Sequence, residues 1–542
     1  MTLVINQLLV NYVNLVWKLR TIFSTAWKLK DSPPDETPDN YPNHNTSALS
    51  ESQAPIIGQN SRGCQSCLGR DTEPIAPPSS GTALGQSYFQ TATVEEQLVS
   101  RSVDKGNEFP DYDDYESVVR SRIQTGYEVI SAFTETGKPE SSIKVPLQRE
   151  YTGGERKVIS SALANVPCTC LGIQGTLDLL NSILRTSYTL DTPSLSSLLE
   201  GCISKSYDFG TAYGRLRRVW KTDNPGTMQD LLCRGEGLYQ CRQRDALEGN
   251  RIVNPLLPPR RVWDLYSNRV VLLGTAFIST RPISHAWVDE KDRVDVWTPI
   301  NRKEWPVPIP KDADLDLIRI EMLNLGVQYT WLDVLCLRQE GGPREDLRVG
   351  EWKLDVPTIG QVYCGGVKAM IYLSGLGRPL SVKEGDLDSD RSWFRRAWTL
   401  QEVGKERIIV GDTPDGPMHA KPIDKDGNYE TEILTRFHMQ VTSLKSRYRR
   451  RALFRALANM QKRVSTNPVD KVAGLAFPLL SRTIPAYHES ESLEDAWTAL
   501  VNAMHTVMRA TFLFLYPEVG TRKQEMEAVM GAGHDRASAS GW

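Results

Sequence analysis

The chain has 542 residues, 40% hydrophobic and 24% charged, a length that points to about three or four structural units. Its 64 Lys and Arg against 66 Asp and Glu give a formal charge of −2, without the basic footprint of a dedicated nucleic-acid binder. Nine cysteines in so long a chain make no disulfide scaffold, and no ladder of long apolar runs marks a polytopic membrane protein.

Residues 1–30 carry Lys18, Arg20, Lys28 and Lys30 and no acid. Gln7, Asn11, Asn14, Lys18 and Thr21 recur at helical spacing and predict one wet stripe on a greasy, amphipathic N-terminal helix. Asn6, Gln7, Asn11 and Asn14 interrupt a run already short for a transmembrane span, and no basic residue precedes it as in a signal peptide. Weak contact with an anionic membrane surface, or with a partner helix, fits this stripe; a helix packed on the rest of the protein is the alternative. Residues 31–92 are predicted to be a disordered linker, rich in Ser, Thr, Asn and Pro and too poor in large apolar residues to offset chain entropy. Cys64 and Cys67 within it are half a zinc site with no second half, so no metal is expected.

Residues 93–245 are predicted to be mostly helical. Leu171, Leu177, Leu180 and Leu184 suggest one apolar helix, and Leu195, Leu198, Leu199 and Ile203 another. Gly210 and Gly214 then permit close packing or a turn.

Across residues 262–412 short apolar runs alternate with amphipathic ones. Strands are predicted at 270–273, 281–287, 329–336, 367–373 and 407–410, and helices at 312–325, at 351–363 with a break at Pro357, and at 391–403. The expected class is α/β: a mostly parallel sheet flanked by helices, with additional helical regions and a disordered N-terminal segment. Sites in such sheets gather beyond the carboxyl ends of the strands, which here carry Ser284 to Trp287, Asp333 to Gln339, and Ser374 to Gly377. A helical C-terminal region is expected over 430–519 and a flexible tail over 520–542. The former holds the one basic cluster, Lys445 to Arg463, read as a helix with a solvated face or an anion-contacting one. A further helix should start at Ser492, with Asp495 completing a capping box, and run through Met504 and Met508.

Three motifs in this block resemble a known family. Ile283-Ser284-His285-Ala286-Trp287 is similar to the opening motif of the fungal heterokaryon-incompatibility domain. Trp331-Leu332-Asp333-Val334-Leu335-Cys336-Leu337-Arg338-Gln339 is similar to its second motif, with Leu337-Arg338 where Ile-Asn is usual. Trp393-Phe394-Arg395-Arg396-Ala397-Trp398-Thr399-Leu400-Gln401-Glu402 resembles its third, and Glu351 its acidic residue ahead of an Ile-Tyr pair, here Val362-Tyr363. The resemblance implies a Toll/interleukin-receptor-like α/β fold and a cytoplasmic role in non-self recognition followed by programmed cell death. It implies protein partners or self-association, with membrane association through residues 1–30 as an addition. Some members of that wider fold cleave NAD with a glutamate; others only assemble partners. Domain assembly is the leading expectation, and an NAD-cleaving glycohydrolase with Glu351 as the better nucleophile candidate is the alternative.

Cleaving a nicotinamide–ribose bond requires a carboxylate to support an oxocarbenium-like transition state and an aromatic surface for the ring. The catalytic candidates are Glu351 and Glu402, with Ser284, His285, Trp287, Asp333, Gln339 and Trp398 as substrate-binding candidates. NAD enters as substrate; no cofactor and no nucleic-acid partner is expected. Alternative expectations are a helix-terminal acid at Glu351, an ion-paired Glu402 and a hydrogen-bonding Asp333 within a strand. A Cys336–His285 nucleophile pair would need the two side chains within hydrogen-bond reach.

Overall fold

Apolar spacing builds a helical layer first, in the computed structural model. It describes residues 130–515 except 138–148, 152, 154–156, 223, 274–279, 365–367, 381–384, 405, 412–417, 420, 445–451 and 480–482. The expected N-terminal helix, linker and tail lie outside these residues. The layer comprises α1 (Ala132–Thr136), α2 (Ser161–Ala164), α3 (Cys168–Leu184), α4 (Pro193–Ser204), α5 (Phe209–Leu216) and α6 (Met228–Asp245). Leu177, Leu180 and Leu184 of α3 pack on Leu195 and Leu199 of α4 and on Phe209, Tyr213 and Leu216 of α5, a core of its own. Gly172, at φ +66°, kinks the start of α3. Gly210 and Gly214 let α5 approach the Ser267 turn: a Cβ on Gly210 would lie 2.8 Å from the Ser267 carbonyl, and one on Gly214 2.6 Å from its hydroxyl.

The α/β block follows. Its elements in chain order are β1 (Leu247–Glu248), β2 (Arg251–Ile252), β3 (Arg261–Asp264), β4 (Arg269–Leu272), β5 (Arg281–His285), β6 (Arg293–Val296), β7 (Val307–Pro310), α7 (Leu315–Asn324), β8 (Tyr329–Trp331), α8 (Asp333–Cys336), α9 (Arg348–Asp355), α10 (Ile359–Cys364), β9 (Lys368–Tyr372), β10 (Glu406–Ile409) and β11 (Met418–His419). Seven strands form one sheet in the order β11-β10-β9-β5-β8-β3-β4. The central four, β10-β9-β5-β8, are parallel, with Ile283 opposite Met370, His285 opposite Tyr372 and Arg281 opposite Thr330. Antiparallel β11 closes one edge, and the hairpin β3–β4 the other. The class is therefore α/β with a parallel centre. Along the chain the connection after β5 leaves towards β8, while the one after β9 leaves towards β10. The two diverge, which makes the carboxyl ends of β5 and β9 a topological switch point, the place where such sheets bind ligands in a crevice.

The C-terminal helices α11 (Glu432–Leu444), α12 (Ala452–Gln461), α13 (Val469–Ala476), α14 (Leu493–Ala503) and α15 (Thr506–Leu515) complete the described chain. Leu457, Val472, Leu475, Leu500 and Phe512 from them share one apolar core with Ile283, Trp331 and Met370 of the sheet. Between α13 and α14, β12 (Ile484–Pro485) pairs with β2. No helix among the described residues is long and apolar enough to cross a membrane.

Several predicted elements change. The strand expected over 329–336 stops at Trp331, because the Asp333 carboxylate accepts from the Val334 N–H at 2.8 Å and opens the helical turn α8. The helix expected over 391–403 is replaced by two short 3-10 turns, Trp393–Arg395 and Trp398–Leu400. There the Thr399 hydroxyl donates to the carbonyls of Trp393 and Arg396, and the backbone around Arg396 pairs with Val464. The helix through Met508 ends at Ala503, and Met508 belongs to α15. Arg463, placed in the basic cluster, is 3% exposed and donates to the Arg396 carbonyl and the Thr399 hydroxyl. Lys445 to Arg451 lie outside the described residues. Pro357 does break the 351–363 segment, into α9 and α10.

Candidate active site

β5 delivers two polar side chains to the crevice. Its residues alternate about a buried Ile283, whose carbonyl accepts from the Tyr363 hydroxyl at 2.7 Å. Ser284 and His285, both buried, then face opposite sides of the strand. Each organises a separate hydrogen-bonded group.

On one side, the Ser284 hydroxyl accepts from the Trp393 indole N–H at 2.7 Å and donates to the Glu402 carboxylate. Trp393 is fixed by Phe394 and Phe437, whose rings lie 5.2 Å and 6.0 Å away. Glu402 is half-buried, and burial pushes its carboxyl up to about 7, with the Ser284 hydrogen bond opposing. Asp333 pushes in the same direction as burial, whereas His285 and Arg463 oppose it.

On the other side, His285 Nε2 lies 2.9 Å from Asp333 Oδ1, and the Trp287 indole donates to Asp333 Oδ2 at 3.1 Å. The His285 and Trp287 rings stack at 5.6 Å. Burial disfavours charge on His285, yet Asp333 outweighs it and holds the imidazole above its ordinary value. Burial likewise works against the Asp333 carboxylate, and His285 outweighs it, so Asp333 lies below its ordinary value. Each partner thus favours the charged form of the other, and the Asp333 side chain is 24% exposed.

The structure thus brings together Ser284, His285, Trp287, Asp333 and Glu402. The other three candidates are committed elsewhere. Glu351 is ion-paired with Arg261 at 2.6 Å and Arg338 at 3.3 Å. Burial works against its charge, but Arg261 and Arg338 keep it below the usual carboxylate value. The Gln339 amide donates to the Leu337 carbonyl at 2.9 Å. Trp398 lies, at 6.1 Å, edge-on to Tyr487, whose hydroxyl donates to Asp470 on α13 at 2.8 Å. The Cys336 nucleophile is overturned: its thiol is 1% exposed, burial pushes it up to about 12, and His285 is bonded to Asp333 instead.

Glu351 lies in the first turn of α9, as expected of a helix-terminal acid, and adds ion pairs there, whereas the ion pair expected for Glu402 is replaced by a serine hydrogen bond. Glu351 has the ion pairs; Glu402 has a serine and a raised pKa. Trp393 is the site residue that spacing alone passed over, because its role depends on a chain reversal that places it beside β5. Among the described residues no group of three or more His, Cys, Asp or Glu is arranged to hold a metal ion. Comparison with family models, curated proteins and solved structures finds no match for this chain.

Proposed function

We propose that this chain hydrolyses the N-glycosidic bond of NAD at the β5/β9 crevice, with Glu402 as the carboxylate and a Toll/interleukin-receptor-like α/β fold as its frame. The observation that carries this is the raised, serine-held Glu402 at the divergence of the two connections, with Asp333 and His285 within electrostatic reach across the strand. As the bond from C1′ to the pyridinium nitrogen breaks, its electron pair leaves on nicotinamide and positive charge grows on the ribose. The Glu402 carboxylate stabilises that charge and takes the proton of the water that adds to C1′. A carboxyl with a pKa near 7 can hold that proton and return it to solvent. The products are ADP-ribose, nicotinamide and a proton.

The three motifs supply the setting: an incompatibility-type recognition protein, cytoplasmic, triggered by a protein partner or self-association and ending in cell death. Incubating the purified chain with NAD tests the chemistry. Nicotinamide release that disappears in Glu402→Gln and persists in Glu351→Gln supports it. No release at high protein concentration, with or without forced oligomerisation, removes it and leaves assembly of partners as the function.

A further inference from the structure

Arginines around the turn at residues 393–402 are mostly committed. Arg395 pairs with Asp390 at 3.0 Å, and Arg463 donates to the Arg396 carbonyl and Thr399. Arg396 differs: among the described residues its half-buried guanidinium has no hydrogen-bond or ion-pair partner. Glu402, Asp470 and Asp333 lie within electrostatic reach of it, as does Arg293 with like charge. Arg293 opens β6, and its guanidinium carbon sits 5.2 Å from the Trp287 ring centroid, again without an ion-pair partner among the described residues. One arginine belongs to the connection after β5 and the other to the connection after β9, so the two bracket the crevice that those connections open.

A partly buried guanidinium with no hydrogen-bonded partner leaves its donors unsatisfied, and a second guanidinium nearby adds repulsion. Their planar forks match phosphate oxygens, and stacking on Trp287 holds one of them in place. The three carboxylates nearby would repel an anionic ligand, so any anion entering the crevice needs these cations.

We propose that Arg396 and Arg293 bind the pyrophosphate of a dinucleotide whose ribose lies against Glu402, so that the site takes phosphate-bearing nucleotides and discriminates against free nucleosides. This rests on the glycohydrolase reading of the same crevice.

The test compares NAD with nicotinamide riboside, which has the same scissile bond and no phosphate, and uses inorganic pyrophosphate as competitor. In Arg396→Ala, KM for NAD is expected to rise about tenfold or more at unchanged kcat, while riboside turnover stays the same and pyrophosphate inhibition disappears. Arg396→Lys should restore part of the NAD affinity. Arg293→Ala should follow the same pattern. Equal loss on both substrates overturns the arginine pair and leaves the glycohydrolase standing. If wild type cleaves neither substrate, the glycohydrolase fails, and calorimetry with pyrophosphate decides the pair separately. Binding that weakens in Arg396→Ala upholds it; no binding to wild type overturns it.

Discussion

The Ser284 hydroxyl donates to the Glu402 carboxylate across 118 positions of sequence. A serine hydroxyl rotates freely unless its acceptor side is occupied, and here the Trp393 indole occupies it at 2.7 Å. The hydrogen is therefore aimed at Glu402 before any ligand arrives.

Removing that hydrogen should move the pH dependence of nicotinamide release. The bond favours the charged carboxylate, so its loss in Ser284→Ala raises the Glu402 pKa above about 7. Activity that depends on ionised Glu402 rises through its pKa, and the midpoint of kcat against pH should shift upward in the variant. An unchanged midpoint would separate Ser284 from the carboxylate's ionisation.

Glu402→Gln should lose turnover and gain stability. Its folded pKa of about 7 lies above the ordinary 4.5, so the group favours folding fully below 4.5 and loses that contribution as pH rises through 7. A neutral amide does not carry the cost of ionising in place, an advantage of at most about 3 kcal/mol above pH 7. The melting-temperature difference between variant and wild type should grow from acid to mildly alkaline pH. A constant difference would mean that Glu402 ionises at its ordinary value.

Asp333→Asn tests the imidazolium. His285 is raised, so its contribution is full below the ordinary 6.5 and is lost as pH climbs through the folded value. Asp333 is lowered, so its contribution is present above the ordinary 3.8 and is lost as pH falls through its folded value. Their common window lies between these values. Within it the variant should lose about 1–2 kcal/mol, a figure reduced for solvent screening because the Asp333 side chain is 24% exposed. Denaturation curves inside the window and well above pH 7 measure this; equal losses would contradict a charged His285.

Glu351→Gln should affect folding and spare chemistry. It leaves Arg261, whose side chain is 9% exposed, without its 2.6 Å partner, and weakens the hold on Arg338. A loss of about 2–4 kcal/mol is expected from an uncompensated buried charge. Nicotinamide release per folded molecule should match wild type; its abolition would move catalysis back to Glu351.

Much of the fold was readable from periodicity. The short apolar runs at 281–287 and 367–373 and the breaking proline at 357 each located an element of the sheet block, while the run at 329–336 overran its strand, which stops at Trp331. Antiparallel β3 and β4 on the edge were not foreseen as such, since strand direction depends on connections and not on side-chain alternation. The site was half readable. Ser284, His285, Trp287, Asp333 and Glu402 fall at strand ends or in motifs and do meet. Which glutamate stays unpaired could not be read locally: Arg261 and Arg338 reach Glu351 from two separate elements. Residues 391–403 have helical composition, yet hydrogen bonds from Thr399, and pairing to Val464, override that propensity.

That pairing has a consequence for how the protein can be divided. Ala397 N–H donates to the Val464 carbonyl at 3.0 Å, and Arg463 reaches the Arg396 carbonyl from 67 positions downstream. The turn that presents Glu402 takes its shape from chain beyond the sheet. A graft of residues 262–412 into another protein would carry every motif residue and lose the mould that shapes them. The transferable part runs through α13 at least, and inheritance of the three motifs without that helix pair would pass on the lettering of the site without its geometry.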